Sequence, residues 1–138
     1  MKKIILIGLA GGILVLVIGM LTGKIYEVLA PSIKTEFQNT NLFRPWIDPI
    51  MSLYFVHPFL LGIILAWVWS KVNPVISADT DLKKGLWFGL FVWMAATLPG
   101  MLISYASFPI SLLMIIAWTI SALLELLCLG ILFSKTLK

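Results

Sequence analysis

Cysteine and histidine are almost absent from this chain, which has one of each, Cys128 and His57, among 138 residues. A single cysteine excludes an intramolecular disulfide and the paired-thiol chemistry of disulfide oxidoreductases. One histidine and one cysteine are too few for a typical zinc site or for a bis-histidine haem. No serine stands out as a nucleophile that His57 would activate. We therefore predict no metal, no cofactor and no catalytic residues, and a protein that is not an enzyme.

Charged residues are also scarce, at 12% of the chain, while the hydrophobic fraction is 61% and the mean hydropathy is +1.07. A helix needs about 20 apolar residues to cross a bilayer core about 30 Å thick. Four stretches qualify: residues 4–23, 50–70, 86–105 and 109–133. The sequence therefore predicts an all-α, multi-pass membrane protein whose single domain, residues 1–138, forms two antiparallel hairpins of transmembrane helices. Every aspartate lies between these stretches, which excludes an intramembrane protease with paired aspartates.

Basic residues are distributed unevenly between the two sides of these stretches. The N-terminus, the second connection and the C-terminus carry lysines that no neighbouring acidic group fully offsets: Lys2, Lys3, Lys71, Lys83, Lys84, Lys135 and Lys138. The positive-inside rule then predicts that both termini are cytoplasmic, in a plasma or inner membrane. The bilayer is the expected partner. Nucleic acid is not, because no basic surface is dense enough and no soluble module carries one.

Small residues recur at matching positions on the first and third stretches. The members of each set lie on one side of a helix, within about 60° for the first set: Gly8, Gly12, Gly19 and Gly23, and then Gly85, Gly89, Ala96 and Gly100. Such positions let helices approach closely in lipid, so we predict that the first and third helices pair, within one chain or across a homodimer. The constant offset between the sets, with similar Pro-Ile openings at Pro49 and Pro109, predicts a parallel internal repeat with a pseudo-twofold axis along the membrane normal. A chance match between apolar helices is the alternative.

The first connection, residues 24–49, is predicted to be an outer loop with a short interfacial helix. Ile33 and Phe37 are four residues apart with polar neighbours, as in an amphipathic turn of helix. Phe43 and Trp46 are typical of an aromatic belt at the membrane surface.

Several short segments carry a resemblance: 7–12 and 84–86, and then 98–100, 103–105 and 108–112. In these segments, which include Leu98-Pro99-Gly100 and Phe108-Pro109-Ile110, the chain resembles small bacterial integral membrane proteins with four helices and no assigned activity. The resemblance implies a fold of four membrane helices and implies no substrate.

Glu125 is the one acidic residue inside an apolar stretch, and an acid at that depth usually faces the helix bundle or a wet cavity. Trp118, Ser121 and Cys128 share its side of the helix and complete a candidate polar site. Counting along the stretches predicts that Glu125 lies in the cytoplasmic half, level with Gly8–Gly12. One interpretation is a neutral acid that stabilises helix packing. The other is a proton carrier or cation ligand.

His57 precedes Pro58, and a second disruption, at Pro99, is expected at a similar depth on the third helix. Irregular backbone at membrane depth is tolerated where it is buried in protein or lines a cavity. We therefore predict an outer pocket lined by Tyr54, His57, Thr97 and Trp118, in the opposite half of the membrane from Glu125. A neutral histidine that serves packing alone is the alternative.

Two classes of function remain. The first is an interaction or accessory subunit, or a homo-oligomer assembled by helix packing, which uses the small-residue positions and the aromatic belts. The second is a small transporter or channel-like protein that uses Glu125 and the pocket around His57. A membrane enzyme acting on lipid or quinone is a more distant alternative.

Overall fold

The computed structural model describes residues 1–137, so that Lys138, counted above with the basic C-terminus, lies outside the described residues. The described chain is helical: α1 (Lys2–Leu29), α2 (Pro31–Phe37), α3 (Leu53–Val72), α4 (Asp81–Val92), α5 (Leu98–Ser107) and α6 (Leu112–Thr136). Short 3₁₀ turns, Pro49–Ser52 and Asn73–Val75, flank α3. A π-helical segment, Trp93–Thr97, joins α4 to α5.

Four helical segments are long and apolar enough to cross a membrane: Lys2–Leu29, Pro49–Val75, Asp81–Ser107 and Leu112–Thr136. The prediction of an all-α, multi-pass membrane protein is confirmed. The first three spans are longer than the apolar stretches that predicted them, and the fourth has the same length but begins three residues later. The first continues well past Gly23, because α1 ends only at Leu29, immediately before Ala30 and Pro31.

The helices form the two predicted antiparallel hairpins, one of α1 with α3 and one of the α4–α5 span with α6. The hairpins meet mainly through α1 and α6, which gives the order α3, α1, α6 and α4–α5 across the bundle. Both termini lie at one end, here called the termini end, together with the connection between α3 and α4. There the indole Nε1 of Trp69 donates a hydrogen bond of 2.8 Å to the backbone carbonyl of Leu137. The opposite end, which holds the connection between α1 and α3, is called the loop end.

Glycines bring the two helices of the first hairpin together. A β-carbon added to Gly8 would lie 2.6 Å from Cα of Ile63, and one added to Gly12 would lie 2.6 Å from Cα of Phe59. Gly62, on α3, presses in turn against the backbone of Gly8 and Gly12. Contact this close between backbones is available only where there is no side chain, which is how small residues act in lipid.

The second hairpin uses the same device. A β-carbon on Gly85 would collide with the backbone of Gly130, and one on Gly89 would lie 2.9 Å from Cα of Leu127. In each hairpin, two glycines of the first helix thus meet one glycine of the second. The internal repeat itself stays a prediction.

The expected pairing of the first span with the third within one chain is wrong. On α1, Gly8 and Gly12 are covered by α3, and Gly11 and Gly19 by α6. The two glycines of α4 are covered by α6. The arrangement of the hairpins also departs from a twofold axis, which would make α3 and α4 pack as extensively as α1 and α6. Instead, α3 and α4 touch at the termini end, where the rings of Trp69 and Phe88 are 5.2 Å apart.

The predicted short helix of the first connection is α2, and it docks on the start of α6. Ile33 is only 3% exposed, in a cluster that includes Ile110 and Met114. The carboxylate of Glu36 accepts a hydrogen bond of 2.6 Å from the backbone N–H of Ser111, the residue that caps α6. An acidic group at the N-terminus of a helix is stabilised by the helix dipole. The connection is therefore fixed to the bundle rather than free.

The two membrane prolines behave differently. Pro58 is buried in α3, which continues through it without interruption. Pro99 follows the π-helical segment, where the N–H of Leu98 donates to the carbonyl of Trp93. The wider turn accommodates the missing N–H of Pro99, as π-bulges commonly do at irregular helix positions.

Candidate functional site

Glu125 lies one residue from the middle of α6 and points towards α1. Its Oε1 is 3.0 Å from the position that a β-carbon would take on Gly19. The absence of a side chain on Gly19 thus gives the carboxyl group its space. The prediction that Glu125 lies level with Gly8–Gly12 is wrong, because the carboxyl group lies beside Gly19. The difference arises because α1 extends towards the loop end and glycine packing sets the register of the helices.

Two hydroxyl groups lie beside Glu125, towards the loop end. Ser121, one turn earlier on α6, donates a hydrogen bond of 2.9 Å to the Oγ1 of Thr22 on α1. Thr22 donates to the backbone carbonyl of Ile18 at 2.9 Å, with that of Gly19 at 3.2 Å. The donor hydrogens of both hydroxyls are therefore used within this chain of bonds.

Tyr54 is the third side chain that approaches the site. It lies on α3, close enough to Glu125 for an electrostatic interaction. The side chain of Tyr54 is half exposed, and its ring packs edge-on against the rings of Trp46 and Phe55 at centroid distances of 5.4 and 5.5 Å. Tyr54 thus links the carboxyl group to the aromatic residues of the loop end.

The other two predicted members of the polar site lie on either side of this cluster. Trp118 packs against Phe37 and Phe43 at ring-centroid distances of 6.0 and 6.1 Å, under the docked connection. Cys128 is partly buried, one turn from Glu125 on the same side of α6. The predicted set therefore forms a continuous side of α6, with Ser121 and Glu125 at its centre.

The residues predicted to form an outer pocket are found in different surroundings. Tyr54 lies within electrostatic range of Glu125, and Trp118 packs under the first connection. His57 and Pro99 are exposed, Thr97 is partly buried and Pro58 is covered by the bundle. Among residues 1–137, these side chains do not share one pocket with His57. His57 lies on the exposed surface of α3.

Two surface grooves lie away from the Glu125 cluster. One, of about 450 Å³, runs between α4 and α6 and is almost wholly apolar: Lys83, Leu86, Trp87, Leu90, Leu123 and Leu127. The other, of about 470 Å³, lies beside the connection from α3 to α4 and includes Ile76 and Phe91. Neither has polar groups arranged to hold a small ligand.

Ion pairs within residues 1–137 all lie at helix ends or in connections. They join Lys24 to Glu27, Arg44 to Asp48 and Lys83 to Asp79, at 3.1, 2.8 and 2.7 Å. The carboxylate of Asp48 also accepts a hydrogen bond of 2.9 Å from the backbone N–H of Ile50. This bond, together with Arg44, holds the pKa of Asp48 below its usual range. None of these three pairs includes Glu125.

Not every predicted packing residue is covered. A β-carbon on Gly23 or on Gly100 would meet no atom within 4 Å, and Ala96 is exposed. Ala96 and Gly100 belong to the third span, whose most apolar window is 11% buried, compared with 28% for the fourth. The loop-end half of this span, α5, has no buried residue. The structure thus separates small residues that close the hairpins from small residues that are turned outwards.

Three contributors to these sites were not anticipated. Thr22 is the only hydroxyl residue in the stretch 4–23, three residues after Gly19, and this spacing could have identified it. Gly62 and Gly130 are single glycines within otherwise bulky stretches, which signals close backbone approach. Comparison of this chain with protein-family models, with curated proteins and with solved structures finds no match.

Proposed function

We propose that this protein works by association of helices in the bilayer, and that a second copy of the chain packs against its third span. The observation that supports this is a small-residue patch on that span, defined by Ala96, which is exposed, and Gly100, which is partly buried but has open space beside it. The two residues are four apart and therefore lie one above the other on the helix. Gly100 leaves open space where a side chain would be, and the span to which it belongs has little packing against the rest of the chain.

The packing inside each hairpin supports self-association as the use of this patch. Gly62 contacts Gly8 and Gly12, and Gly130 contacts Gly85, so that small residues on one helix meet small residues on another. A twofold dimer would place the Ala96–Gly100 patch of one copy on the same patch of the other. No charged residue occurs between Lys84 and Glu125, so like charges do not oppose this contact.

Orientation and location belong to the same proposal. The termini end carries the lysines at the start of α1 and α4 and at the end of α3 and α6. The positive-inside rule supports a cytoplasmic termini end, in the plasma or inner membrane of a bacterium. An accessory role in a larger membrane complex is the related alternative, in which a helix of another protein occupies the patch.

The test compares Ala96→Leu, alone and with Gly100→Leu, with the control Ala10→Leu. Ala10 is exposed on α1, so the control adds the same bulk to a different span. Oligomeric state is measured in mild detergent and in lipid nanodiscs by light scattering and by fluorescence transfer between labelled copies. We expect the patch variants to weaken the dimer about tenfold or more, and the control to leave it unchanged.

A monomeric wild-type chain at high protein-to-lipid ratio would overturn self-association. If the same patch variants then lost a partner that purifies with wild type, the occupant would be a larger complex. A dimer that tolerates both patch variants but not Ala10→Leu would place the interface on α1 instead. Helix content, measured by circular dichroism, separates lost association from lost folding.

A second candidate function is that of a small transporter or channel-like protein, and the mid-helix position of Glu125 supports it. Proton and sodium flux into vesicles would be compared between wild type, Glu125→Gln and His57→Ala. Flux abolished by Glu125→Gln alone would favour this candidate with a path that omits His57. Flux equal to that of protein-free vesicles would exclude it.

A further inference from the structure

Glu125 is surrounded by three helices, and none of them brings a positive charge to it. From α1 come Gly19 and Thr22, and from α3 comes Tyr54. Lys24, the basic residue of α1 nearest to this level, is paired with Glu27. The titratable groups that accompany the carboxyl group are therefore Tyr54 and, one turn along α6, Cys128.

Hydrogen bonding to the carboxyl group is equally limited. Ser121 directs its hydroxyl to Thr22, and Thr22 directs its own to the carbonyl of Ile18. Neither hydroxyl has a hydrogen left to donate to a carboxylate on Glu125. The backbone amides of α1 and α6 at this depth are committed to their helices. A charge here would have no counter-ion and no hydrogen bond from either hydroxyl, which makes it costly in the middle of a membrane.

A proton resolves this deficit, because a carboxylic acid is itself a donor. The neutral acid can donate to a backbone carbonyl or to the phenol oxygen of Tyr54. A metal ion would need more ligands: within residues 1–137 there is no cluster of three His, Cys, Asp or Glu side chains. Tyr54, which interacts electrostatically with Glu125, is half exposed at the loop end.

We propose that Glu125 is a proton-binding site within the membrane, enclosed by Gly19, Thr22 and Ser121 and reached from the loop end past Tyr54. The ligand is a proton held on a carboxyl oxygen, and its loss places a negative charge between α1 and α6. The site requires neither self-association nor transport. It is therefore tested by the state of the carboxyl group and not by flux or oligomeric state.

The test uses a hydrophobic carbodiimide on the full chain in lipid vesicles. The acid transfers its proton to a nitrogen of the reagent while a carboxylate oxygen bonds to the central carbon. The resulting O-acylisourea rearranges to a stable N-acylurea, with no leaving group. Because the protonated acid reacts, modification reports the bound proton. Peptide mass spectrometry assigns the modified residue.

We expect Glu125 to be modified at neutral pH, with modification falling about tenfold per pH unit above its midpoint. Glu125→Gln should abolish the adduct, whereas Glu27→Gln, which removes an acid at the loop end, should leave it unchanged. Tyr54→Phe should shift the midpoint of the pH dependence of Glu125 modification and leave the helix content unchanged. A purely structural role for Tyr54 would not shift this midpoint.

Three results would overturn the proposal. The first is an absence of adduct on Glu125 between about pH 5 and about pH 9, while a free hydrophobic acid in the same vesicles reacts. The second is modification that does not change with pH over that range. The third is protection of Glu125 by sodium chloride but not by the chloride of a bulky organic cation, which would make a metal cation the ligand.

Discussion

The hydroxyl of Ser121 on α6 donates a hydrogen bond of 2.9 Å to the hydroxyl of Thr22 on α1. This bond joins the two hairpins directly beside Glu125. It fixes the separation of α1 and α6 at the level where the carboxyl group enters the space left by Gly19. The polar cluster and the contact between the hairpins are therefore one structure.

Removing this link should weaken the contact between the hairpins. Thr22→Val keeps the shape of the side chain and deletes its hydroxyl, and we expect a loss of about 1 kcal/mol in the free energy of unfolding, as for other hydrogen bonds between membrane helices. Reversible unfolding in bicelles measures it. The matched control is Thr119→Val, because Thr119 donates within α6 to the carbonyl of Ile115. Equal losses for the two variants would contradict a role for Thr22 between hairpins.

A single methyl group on Gly62 should separate α1 from α3. Its β-carbon would lie 2.7 Å from the backbone nitrogen of Gly12 and closer still to the carbonyl of Gly8. We expect Gly62→Ala to cost about 1–3 kcal/mol, the usual penalty for overpacking, or to prevent folding. Gly23→Ala is the control, since its β-carbon meets no atom within 4 Å. Unfolding of both variants in the same detergent provides the comparison, and a Gly62→Ala protein as stable as this control would disprove the close approach.

The indole of Trp69 should hold the end of α6. Trp69→Phe retains most of the buried ring but loses the bond from Nε1 to the carbonyl of Leu137, for an expected cost of about 1 kcal/mol. Hydrogen exchange in the last turn of α6 should accelerate. Trp67→Phe makes the same change at an exposed position two residues away, and exchange should be unaffected there. Unchanged exchange in both variants would refute the link.

The turn before α3, in which Asp48 accepts a hydrogen bond from Ile50, should stay intact at acidic pH. In the folded chain, the N–H of Ile50 and then Arg44 lower the pKa of Asp48 from its ordinary value of 3.8. A group with a lowered folded-state pKa contributes stability that is present above its unfolded pKa and is lost as the pH falls through the folded value. The amide resonance of Ile50 should therefore titrate below pH 3.8, and in Arg44→Gln closer to that value. A wild-type midpoint at or above 3.8 would contradict the assignment.

The four spans and the two hairpins could be predicted because length, hydropathy and short connections determine them. The relative height of the helices could not. The apolar stretch ends at Gly23, but no residue that stops a helix occurs before Ala30 and Pro31, so α1 extends towards the loop end. The register then follows from Gly62 and Gly130, whose partners only the folded chain reveals.

This error in height explains which parts of the candidate site were correct. Ser121, Glu125 and Cys128 share one side of α6 by helical geometry alone, which needs no knowledge of a neighbouring helix. The predicted outer pocket depended on matching the depths of residues on different helices. Because those depths were wrong, the predicted pocket was wrong as well. Tyr54 was placed with His57, whereas the register brings it to Glu125.

The central position of α1 and α6 has a consequence for biosynthesis. These two helices stand at opposite ends of the described chain, yet they form the seam between the hairpins. Since chains enter the membrane from the N-terminus, α1 and α3 can close around Gly62 while α6 is still within the ribosome. One flank of α1, including Gly11 and Thr22, then remains open to lipid or to the insertion machinery until the last helix arrives. Glu125 enters the bilayer after α1 and α3, when Gly19 is already in place beside its site.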